Sequence, residues 1–227
     1  MDRNTLKYVT ESEITGINSY QNRLKAINHN IEKFLCFTNL TENAYRRLIF
    51  FIWFLIDMMI IRHEFFYRLY PSELKTSVEK EIFSANISKN DRVLHIGCGP
   101  YPITAIFIEK IIGAYVVGID NKPIAVELAK KYIQSKKIKN IEIEYASGED
   151  YSASNFDSII ITSTTYPRKE ILENIIRTAK EDCIIICREL SNTDSLIKSI
   201  INSSTDLYII KKINHSLNWS SYLIKKK

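Results

Sequence analysis

The chain has 227 residues, of which 45% are hydrophobic and 25% charged, which is the composition of a globular protein and excludes a disordered chain. Only 6 glycines and 5 prolines are present, so collagen-like and low-complexity chains are excluded as well. The net charge of +5 attracts anions weakly, whereas a dedicated nucleic-acid binder usually carries a denser basic stripe. The 4 cysteines lack zinc-like spacing and are too few for a disulfide framework, so no metal site is expected.

The first part of the chain is predicted to be helical, because apolar residues recur every three or four positions over 11–36, 41–67 and 72–85. The most apolar run, 48–61, is interrupted by Asp57 and flanked by arginines. It is shorter than the roughly 20 residues that a membrane-spanning helix needs, so we expect a buried helix and no membrane anchor. The polar N-terminus leads into no signal-peptide core, which favours a cytoplasmic protein.

After residue 88 strand-like and helix-like segments alternate along the chain. The strand-like runs are 92–96, 114–119, 141–145, 158–162 and 183–187; helix-like segments cover 102–112, 123–135, 168–180 and 194–202. Such Ile- and Val-rich strands between amphipathic helices are typical of a parallel sheet covered on both faces. Two last runs, 206–213 and 219–224, predict a closing hairpin. We therefore expect an α/β, doubly wound Rossmann-like domain over 87–227, preceded by a helical domain over 1–86.

The strongest local signal is a glycine loop after the first strand, in the segment Gly97-Cys98-Gly99-Pro100. Glycines allow a sharp strand-to-helix turn and a close approach of ligand to backbone. The third glycine of the dinucleotide fingerprint is missing. Asp120, at the end of the second strand, is suited to accept hydrogen bonds from ribose hydroxyls. Loop and carboxylate together fit S-adenosylmethionine (SAM), whereas a turn without ligand and a helix cap at Asp120 are the structural alternatives.

These residues resemble a known family. The glycine loop reads G-x-G-P-x-P and is followed by Ile103-Thr104-Ala105-Ile106, which is similar to the first motif of nicotianamine synthases and their bacterial staphylopine-synthase relatives. The resemblance continues over 117–123 and 161–167 and reaches Arg188. It implies a SAM-dependent methyltransferase-like Rossmann domain behind a helical domain. It also implies transfer of the 3-amino-3-carboxypropyl group of SAM, rather than its methyl, to an amine. His95 departs from the family pattern, in which an acidic or small residue precedes the loop.

The transfer requires a general base, because the attacking amine must lose a proton. The resemblance implies a glutamate on the helix before the first strand, which is Glu81 or Glu79, and a tyrosine in the glycine loop, which is Tyr101. The two glutamates are two positions apart on a helix, so at most one faces the cleft. We favour Glu81, because an aromatic or apolar pair follows it as in the bacterial branch. The alternatives are solvated helix charges for both glutamates and a packing role for Tyr101.

Further candidates surround the same edge of the sheet. Thr104 is placed in the first turn of its helix, where backbone N–H groups favour the SAM carboxylate. Arg188 either clamps a carboxylate bidentately or forms a structural salt bridge. The expected SAM contacts are Gly97, Cys98, Gly99, Pro100, Thr104, Asp120, Asn121, Ser147, Gly148, Glu149, Ser163 and Thr164. The expected substrate contacts are Arg188, Thr165 and Tyr70.

Three functions compete at this stage. The first is an aminocarboxypropyltransferase that uses SAM as co-substrate and a small amine or amino acid as acceptor, as in nicotianamine and opine metallophore synthesis. The second is a SAM-dependent methyltransferase acting on a metabolite or a protein side chain. The third, an RNA-binding module, is disfavoured because the lysines near 136–139 and at the end of the chain lack interleaved aromatic residues. No nucleic-acid or membrane partner is expected, and the sequence is compatible with a homodimer.

Overall fold

The computed structural model describes residues 42–63, 72–190, 195–202, 207–215 and 219–226. Residues 42–227 belong to one compact unit. The helix predicted over 11–36 lies outside the described residues, and the domain boundary after residue 86 stays a prediction.

The described part alternates helices and strands as the sequence predicts. The helices are α1 (Glu42–Arg62), α2 (Ser72–Ser84), α3 (Ile103–Ile112), α4 (Pro123–Ser135), α5 (Arg168–Thr178) and α6 (Ser195–Asn202). The strands are β1 (Arg92–Ile96), β2 (Tyr115–Asp120), β3 (Ile141–Tyr145), β4 (Ser158–Ile161), β5 (Ile184–Leu190), β6 (Leu207–Asn214) and β7 (Trp219–Lys226).

The strands form one 7-stranded sheet in the order β3-β2-β1-β4-β5-β7-β6. β1 to β5 run parallel, and β7 lies antiparallel between β5 and β6. One apolar cluster contains side chains of α2, α3 and α4, and a second contains those of α5 and α6. Strands that are buried on both faces need apolar residues at nearly every position, which explains their Ile-rich sequence. The doubly wound α/β fold and the closing hairpin are confirmed.

Helix α1 differs from its prediction as a buried helix. Leu48, Phe51, Leu55 and Met59 are between 37% and 56% exposed, whereas Asp57 is only 6% exposed. These four apolar residues are spaced three or four positions apart and therefore share one helix face. The apolar run is thus half-exposed, and its single carboxylate points inward. Within the described part of the chain, no helix is long and apolar enough to cross a membrane.

Strand β5 is longer than the run 183–187 that the sequence indicated. It continues through Arg188 and Glu189, which are 5% and 0% exposed. Successive residues of a strand point to opposite faces of the sheet, so these two charges lie on different sides. Each has an oppositely charged partner on its own side, Glu81 and Arg168 respectively. Because both charges are paired, a strand can continue where a hydrophobicity pattern predicts its end.

Candidate functional site

The glycine loop connects β1 to α3 by a turn that other residues cannot adopt easily. Gly97 and Gly99 have φ angles of 77° and 69°, in the left-handed region. A Cβ at Gly97 would lie 2.5 Å from Thr162 Oγ1, and a Cβ at Gly99 would lie 2.9 Å from Asp57 Oδ2. Both glycines are therefore required by backbone conformation and by space. The sharp strand-to-helix turn predicted from the sequence is present.

Asp120, at the end of β2, connects the second strand to this loop. Its Oδ2 accepts a hydrogen bond from the Gly99 amide at 3.0 Å, and its Oδ1 accepts one from the Lys122 amide at 3.0 Å. Burial raises the pKa of the Asp120 carboxyl, whereas the two amide donors lower it. Each carboxylate oxygen has a second lone pair, so Asp120 can accept further hydrogen bonds while it holds the loop.

A cleft with about 440 Å³ of empty volume, part of it open to solvent, lies at the carboxyl ends of the central strands. Six predicted site residues line it: Gly97, Asp120, Asn121, Gly148, Thr164 and Thr165. Ligands of open parallel sheets bind at this edge, beside the point where the strand order reverses. Phe50 of α1 and Tyr166 also line the cleft, and the Arg47 guanidinium lies 4.9 Å from the Tyr166 ring centroid. The sequence analysis did not identify these aromatic side chains as part of the site.

Other predicted SAM contacts lie beside the cleft rather than along its wall. The Cys98 side chain lies 3.1 Å from the position that a Cβ on Gly118 would take. The Ser147 hydroxyl donates to Glu149 Oε2 at 2.8 Å on an exposed loop, so these two side chains pair with each other. Pro100 is buried and Ser163 half-buried, and neither lines the cleft. Tyr70 lies outside the described residues.

The sequence analysis proposed Tyr101 as a residue of the cleft, but its side chain does not point into the cleft. Its ring is 5% exposed and packs edge-on against Tyr132 of α4, with 4.9 Å between ring centroids. The backbone between Pro100 and Pro102 is stiff, but it directs the ring towards α4 and the apolar core. This contact agrees with the packing alternative for Tyr101, and its role in the reaction stays a prediction.

The two candidate glutamates of α2 have different environments. Glu79 is half-buried, and the Lys75 ammonium lies 3.6 Å from its carboxylate. Glu81 is 0% exposed and accepts two hydrogen bonds from Arg188, from Nε at 3.0 Å and from Nη2 at 2.7 Å. The remaining nitrogen of Arg188, Nη1, donates to Thr104 Oγ1 at 2.9 Å. Glu81 is thus the glutamate that faces the interior, and in this structure Arg188 is ion-paired with it.

Three more groups complete this buried polar centre. The Ser221 hydroxyl of β7 donates to Glu81 Oε1, and His215 Nε2 lies 2.9 Å from Ser221 Oγ. His95 of β1 is 2% exposed, and neither of its ring nitrogens has a hydrogen-bond partner among the described residues. Burial, with the nearby Arg188 charge, lowers the pKa of His95 to about 3, so the ring is neutral at physiological pH.

Several residues that shape the site gave no recognisable signal in the sequence. Asp57 interrupts an apolar run, yet its Oδ2 accepts a long hydrogen bond of 3.5 Å from the Tyr101 amide. Asn174 donates to the carbonyls of Gly148 and Tyr151 at 3.0 and 2.9 Å, which fixes the loop after β3. Each contact joins residues that are far apart in sequence, so local patterns cannot indicate it.

The second buried ion pair fixes the loop after β4. Arg168 Nε donates to Glu189 Oε1 at 2.8 Å, and Arg168 Nη1 donates to the Thr162 carbonyl at 2.8 Å and to Thr165 Oγ1 at 2.6 Å. Thr165 lines the cleft, so this arginine positions part of the cleft wall from behind. The sequence analysis treated Arg168 only as the start of a helix.

Comparison with known families gives a match over the sheet and its helices: residues 87–224 match the family described as "Methyltransferase domain". The chain belongs to this family. The matched range begins just before β1 and ends within β7, so it contains the glycine loop, Asp120 and Arg188.

Two curated proteins match this methyltransferase domain at low sequence identity. Over 134 residues it is 24% identical to L-histidine 2-aminobutanoyltransferase of Yersinia pestis, a match that covers 59% of this chain and 49% of that protein. Over 138 residues it is 28% identical to the ribosomal protein L11 methyltransferase of Thermosipho africanus, covering 59% of this chain and 48% of that protein. The chain thus spans about half the length of these curated relatives.

Solved structures share the fold. A glutamate-to-glutamine variant of the nicotianamine synthase MtNAS, in complex with S-adenosylmethionine, has a TM-score of 0.71 at 18% identity and covers 93% of this chain and 91% of that chain. MtNAS in complex with MTA and tNA has a TM-score of 0.64 at 20% identity, covering 76% and 69%. An RNA methyltransferase from Salinibacter ruber, bound to S-adenosyl-L-homocysteine, has a TM-score of 0.54 at 12% identity, covering 69% and 92%.

The methyltransferase domain is thus a SAM-dependent transferase domain with the Rossmann-like fold of its class. This confirms the expected cofactor at the level of the domain class. The roles of the individual site residues stay predictions.

Proposed function

We propose that this protein transfers the 3-amino-3-carboxypropyl group of SAM to the amine of a small amino-acid-like acceptor and releases 5′-methylthioadenosine. The main supporting observation is the buried Arg188–Glu81 ion pair at the end of the sheet that carries the glycine loop. The similarity to the Yersinia aminobutanoyltransferase and the shared fold of MtNAS support the same reaction class.

The groups that line the cleft support the binding of SAM there. Asp120 has free lone pairs for ribose hydroxyls, and the lack of a side chain at Gly97 lets the glycine loop pack closely against Thr162 and Thr165. Asn121, Gly148 and Thr164 would complete the contacts to the nucleoside and the methionine part. SAM supplies a sulfonium whose γ-carbon is electrophilic, so placement of this carbon decides which group is transferred.

The ion pair has the charges that an amino acid requires. A zwitterionic acceptor carries a carboxylate, which Arg188 can bind bidentately, and an ammonium, which Glu81 can bind. When the carboxylate of the acceptor binds Arg188, Glu81 loses its partner and becomes available as a base. Two buried charges that neutralise each other can be exchanged for two ligand charges without leaving one of them unpaired. Binding of the acceptor thus makes Arg188 the clamp for its carboxylate and, in the same event, frees Glu81 to act as the base.

The proposed chemical step is balanced. The amine nitrogen forms a bond to the γ-carbon, the bond from that carbon to sulfur breaks, and its electron pair remains on sulfur as the thioether of 5′-methylthioadenosine. Glu81 accepts the proton that the amine loses. Thr104 Oγ1 accepts from Arg188 Nη1, so its own hydrogen can be donated to a carboxylate that Arg188 holds.

A SAM-dependent methyltransferase is the second candidate function. It is favoured by the family itself and by the similarity to the ribosomal protein L11 methyltransferase. The same cleft would then present the methyl group, and the nucleoside released would be S-adenosylhomocysteine. Fold alone does not decide between the two reactions.

The nucleoside product distinguishes the two functions. We expect the purified protein, incubated with SAM and a panel of amino acids, to release 5′-methylthioadenosine, identified by mass spectrometry. Glu81→Gln should lower turnover about 10²–10⁴-fold, the usual contribution of a general base, with little change in the SAM affinity measured by calorimetry. Glu79→Gln is the matched control on the same helix and should keep near wild-type turnover.

Two results would contradict this proposal. S-adenosylhomocysteine as the sole stoichiometric product would support the methyltransferase instead. Full turnover of a folded, SAM-binding Glu81→Gln variant would exclude Glu81 as the base.

A further inference from the structure

The C-terminal hairpin of β6 and β7 contacts the buried carboxylate of Glu81. In the antiparallel pairing of β5 and β7, Ser221 lies directly opposite Arg188. Side chains of directly opposed residues lie on the same face of a sheet, so Ser221 and Arg188 both point towards α2. There Ser221 donates its hydroxyl hydrogen to Oε1 of Glu81, the oxygen that also accepts from Arg188 Nε. Both side chains are fully or almost fully buried.

His215 extends this contact by one hydrogen bond. Its Nε2 lies 2.9 Å from Ser221 Oγ and 3.9 Å from Glu81 Oε1. A serine hydroxyl has one hydrogen, and here that hydrogen is donated to the carboxylate. Ser221 Oγ must therefore accept from His215, which assigns the neutral tautomer with its hydrogen on Nε2. Nδ1 of His215 is buried without a hydrogen-bond partner among the described residues, which suits a nitrogen that carries no hydrogen.

Trp219 connects the histidine to the arginine. The His215 ring stacks on the Trp219 ring, with 3.9 Å between centroids and 22° between planes. Arg188 Cζ lies 5.1 Å from the Trp219 ring centroid, within the range of a cation–π contact. The hairpin thus contacts both members of the ion pair, Glu81 through Ser221 and Arg188 through Trp219.

We propose that Ser221 and His215 are positioning residues for Glu81, fixing the carboxylate orientation in which it accepts the proton of the acceptor amine. This inference rests on the proposed function of Glu81 as a base. When the acceptor displaces Arg188, Glu81 loses the two donors that held it, and the Ser221 hydroxyl is the donor that remains. His215 keeps this hydroxyl aimed at the carboxylate, because its N–H occupies the acceptor side of Ser221 Oγ.

The charges around His215 agree with a neutral ring. Glu81 and Lys80 of α2 and Arg188 of β5 are the charged groups that act on it. The pKa of His215 is lowered to about 4, chiefly by burial; Glu81 raises it, and the two cations add to the lowering. His215 is therefore neutral at physiological pH, where it orders the hydroxyl without adding a positive charge that would make Glu81 less basic.

Paired substitutions test the two hydrogen bonds separately. Ser221→Ala removes the donor to Glu81, whereas Ser221→Thr keeps a hydroxyl. His215→Asn removes the hydrogen bond to Ser221, whereas His215→Gln places an amide N–H close to the position of Nε2. Ser220→Ala is the control on the neighbouring strand position, because the Ser220 hydroxyl donates to Asn214 and is not part of this chain of contacts.

We expect Ser221→Ala and His215→Asn to lower kcat about 10–100-fold, the value of a hydrogen bond to a charged group, with the KM for SAM near wild type. Ser221→Thr should keep at least about tenfold more turnover than Ser221→Ala, and His215→Gln at least about tenfold more than His215→Asn. The pH of half-maximal turnover on the acid side should rise in Ser221→Ala, because the carboxylate loses a donor that favours its charged form. Ser220→Ala should match wild type.

Wild-type kcat in a folded Ser221→Ala or His215→Asn variant would overturn the inference, as would equal losses in both members of each pair. The nucleoside product of the wild-type enzyme tests the proposed function separately. If it is S-adenosylhomocysteine, that proposal fails, and the ratios of variant to wild-type turnover still test the positioning role.

A crystal structure of Ser221→Ala gives a readout without turnover. We expect the Glu81 carboxylate to rotate, and an unchanged orientation would count against the inference.

Discussion

Glu81 is a carboxylate without any solvent exposure, so its charge depends on the residues around it. A buried ion costs several kcal/mol of desolvation, which only good geometry and further hydrogen bonds offset. Here Arg188 supplies two hydrogen bonds and Ser221 a third. Such an arrangement adds little net stability, but removal of one partner leaves an uncompensated charge. We therefore interpret it as a feature of the site rather than of the folding core.

At the same scale, Gly97 can be tested against a second glycine. Gly97→Ala should lower the free energy of unfolding by about 3 kcal/mol, because the new Cβ would meet Thr162 Oγ1 at 2.5 Å in addition to the strain of a positive φ. Gly113 has a similar φ of 73°, but a Cβ there would meet only the flexible Lys89 side chain, at 3.7 Å. Gly113→Ala should therefore cost about 1 kcal/mol. Urea unfolding measures both, and equal losses would refute the role of close packing at Gly97.

At the scale of elements, β5 joins the two layers of helices on opposite faces of the sheet. Arg188 connects it to α2 and α3, and Glu189 connects it to α5 through Arg168. Arg168 also donates to the Arg188 carbonyl, so one guanidinium contacts the loop after β4 and the next strand together. The two ion pairs fix the edge of the sheet at which the cleft opens.

Removal of one member of the second pair should destabilise this edge. Glu189→Gln removes the carboxylate charge that pairs with the buried Arg168 guanidinium and should lower the free energy of unfolding by about 3 kcal/mol. Glu173→Gln is the control, because Glu173 and Lys169 form an exposed pair on α5 at 3.7 Å whose loss should cost less than about 0.5 kcal/mol. Chemical denaturation compares the two variants. A Glu189→Gln protein as stable as wild type would show that the other acceptors of Arg168 suffice.

For the whole molecule, the buried histidines make stability depend on pH. The pKa of His95 is about 3 in the folded protein, whereas the ordinary value for a histidine, as in the unfolded chain, is 6.5. Below pH 6.5 the unfolded chain therefore takes up a proton that the folded protein does not, so stability is complete above this pH and declines as the pH falls towards 3. The lowered pKa of His215 acts in the same direction.

We expect the free energy of unfolding to be lower at about pH 5 than at about pH 7, with His95 contributing about 2 kcal/mol of the difference. His95→Gln should flatten the profile by this amount. Urea unfolding at several pH values provides the measurement, and an unaltered slope in His95→Gln would show that His95 is not neutral in the folded protein.

The sequence alone determined the elements and the glycine loop of this protein. Hydrophobic periodicity separates strands from helices locally, and the bounds of β1, β3 and α4 agree with their predictions. The glycine loop and Asp120 were recognisable because a sharp turn after a strand and a carboxylate after the next one are short-range features. The orientation of Tyr101, the exposed face of α1 and the length of β5 were not, because neighbouring elements decide them.

Only the tertiary structure brought the polar centre together. Glu81 of α2 meets Arg188 of β5 across 107 residues of sequence and Ser221 of β7 across 140. In the sheet β7 lies next to β5, although β6 comes between them in the chain. A charge that is paired in this way resembles a solvated surface charge when the sequence is considered alone. Burial makes the difference, because an interior carboxylate requires partners, and long-range packing supplies them.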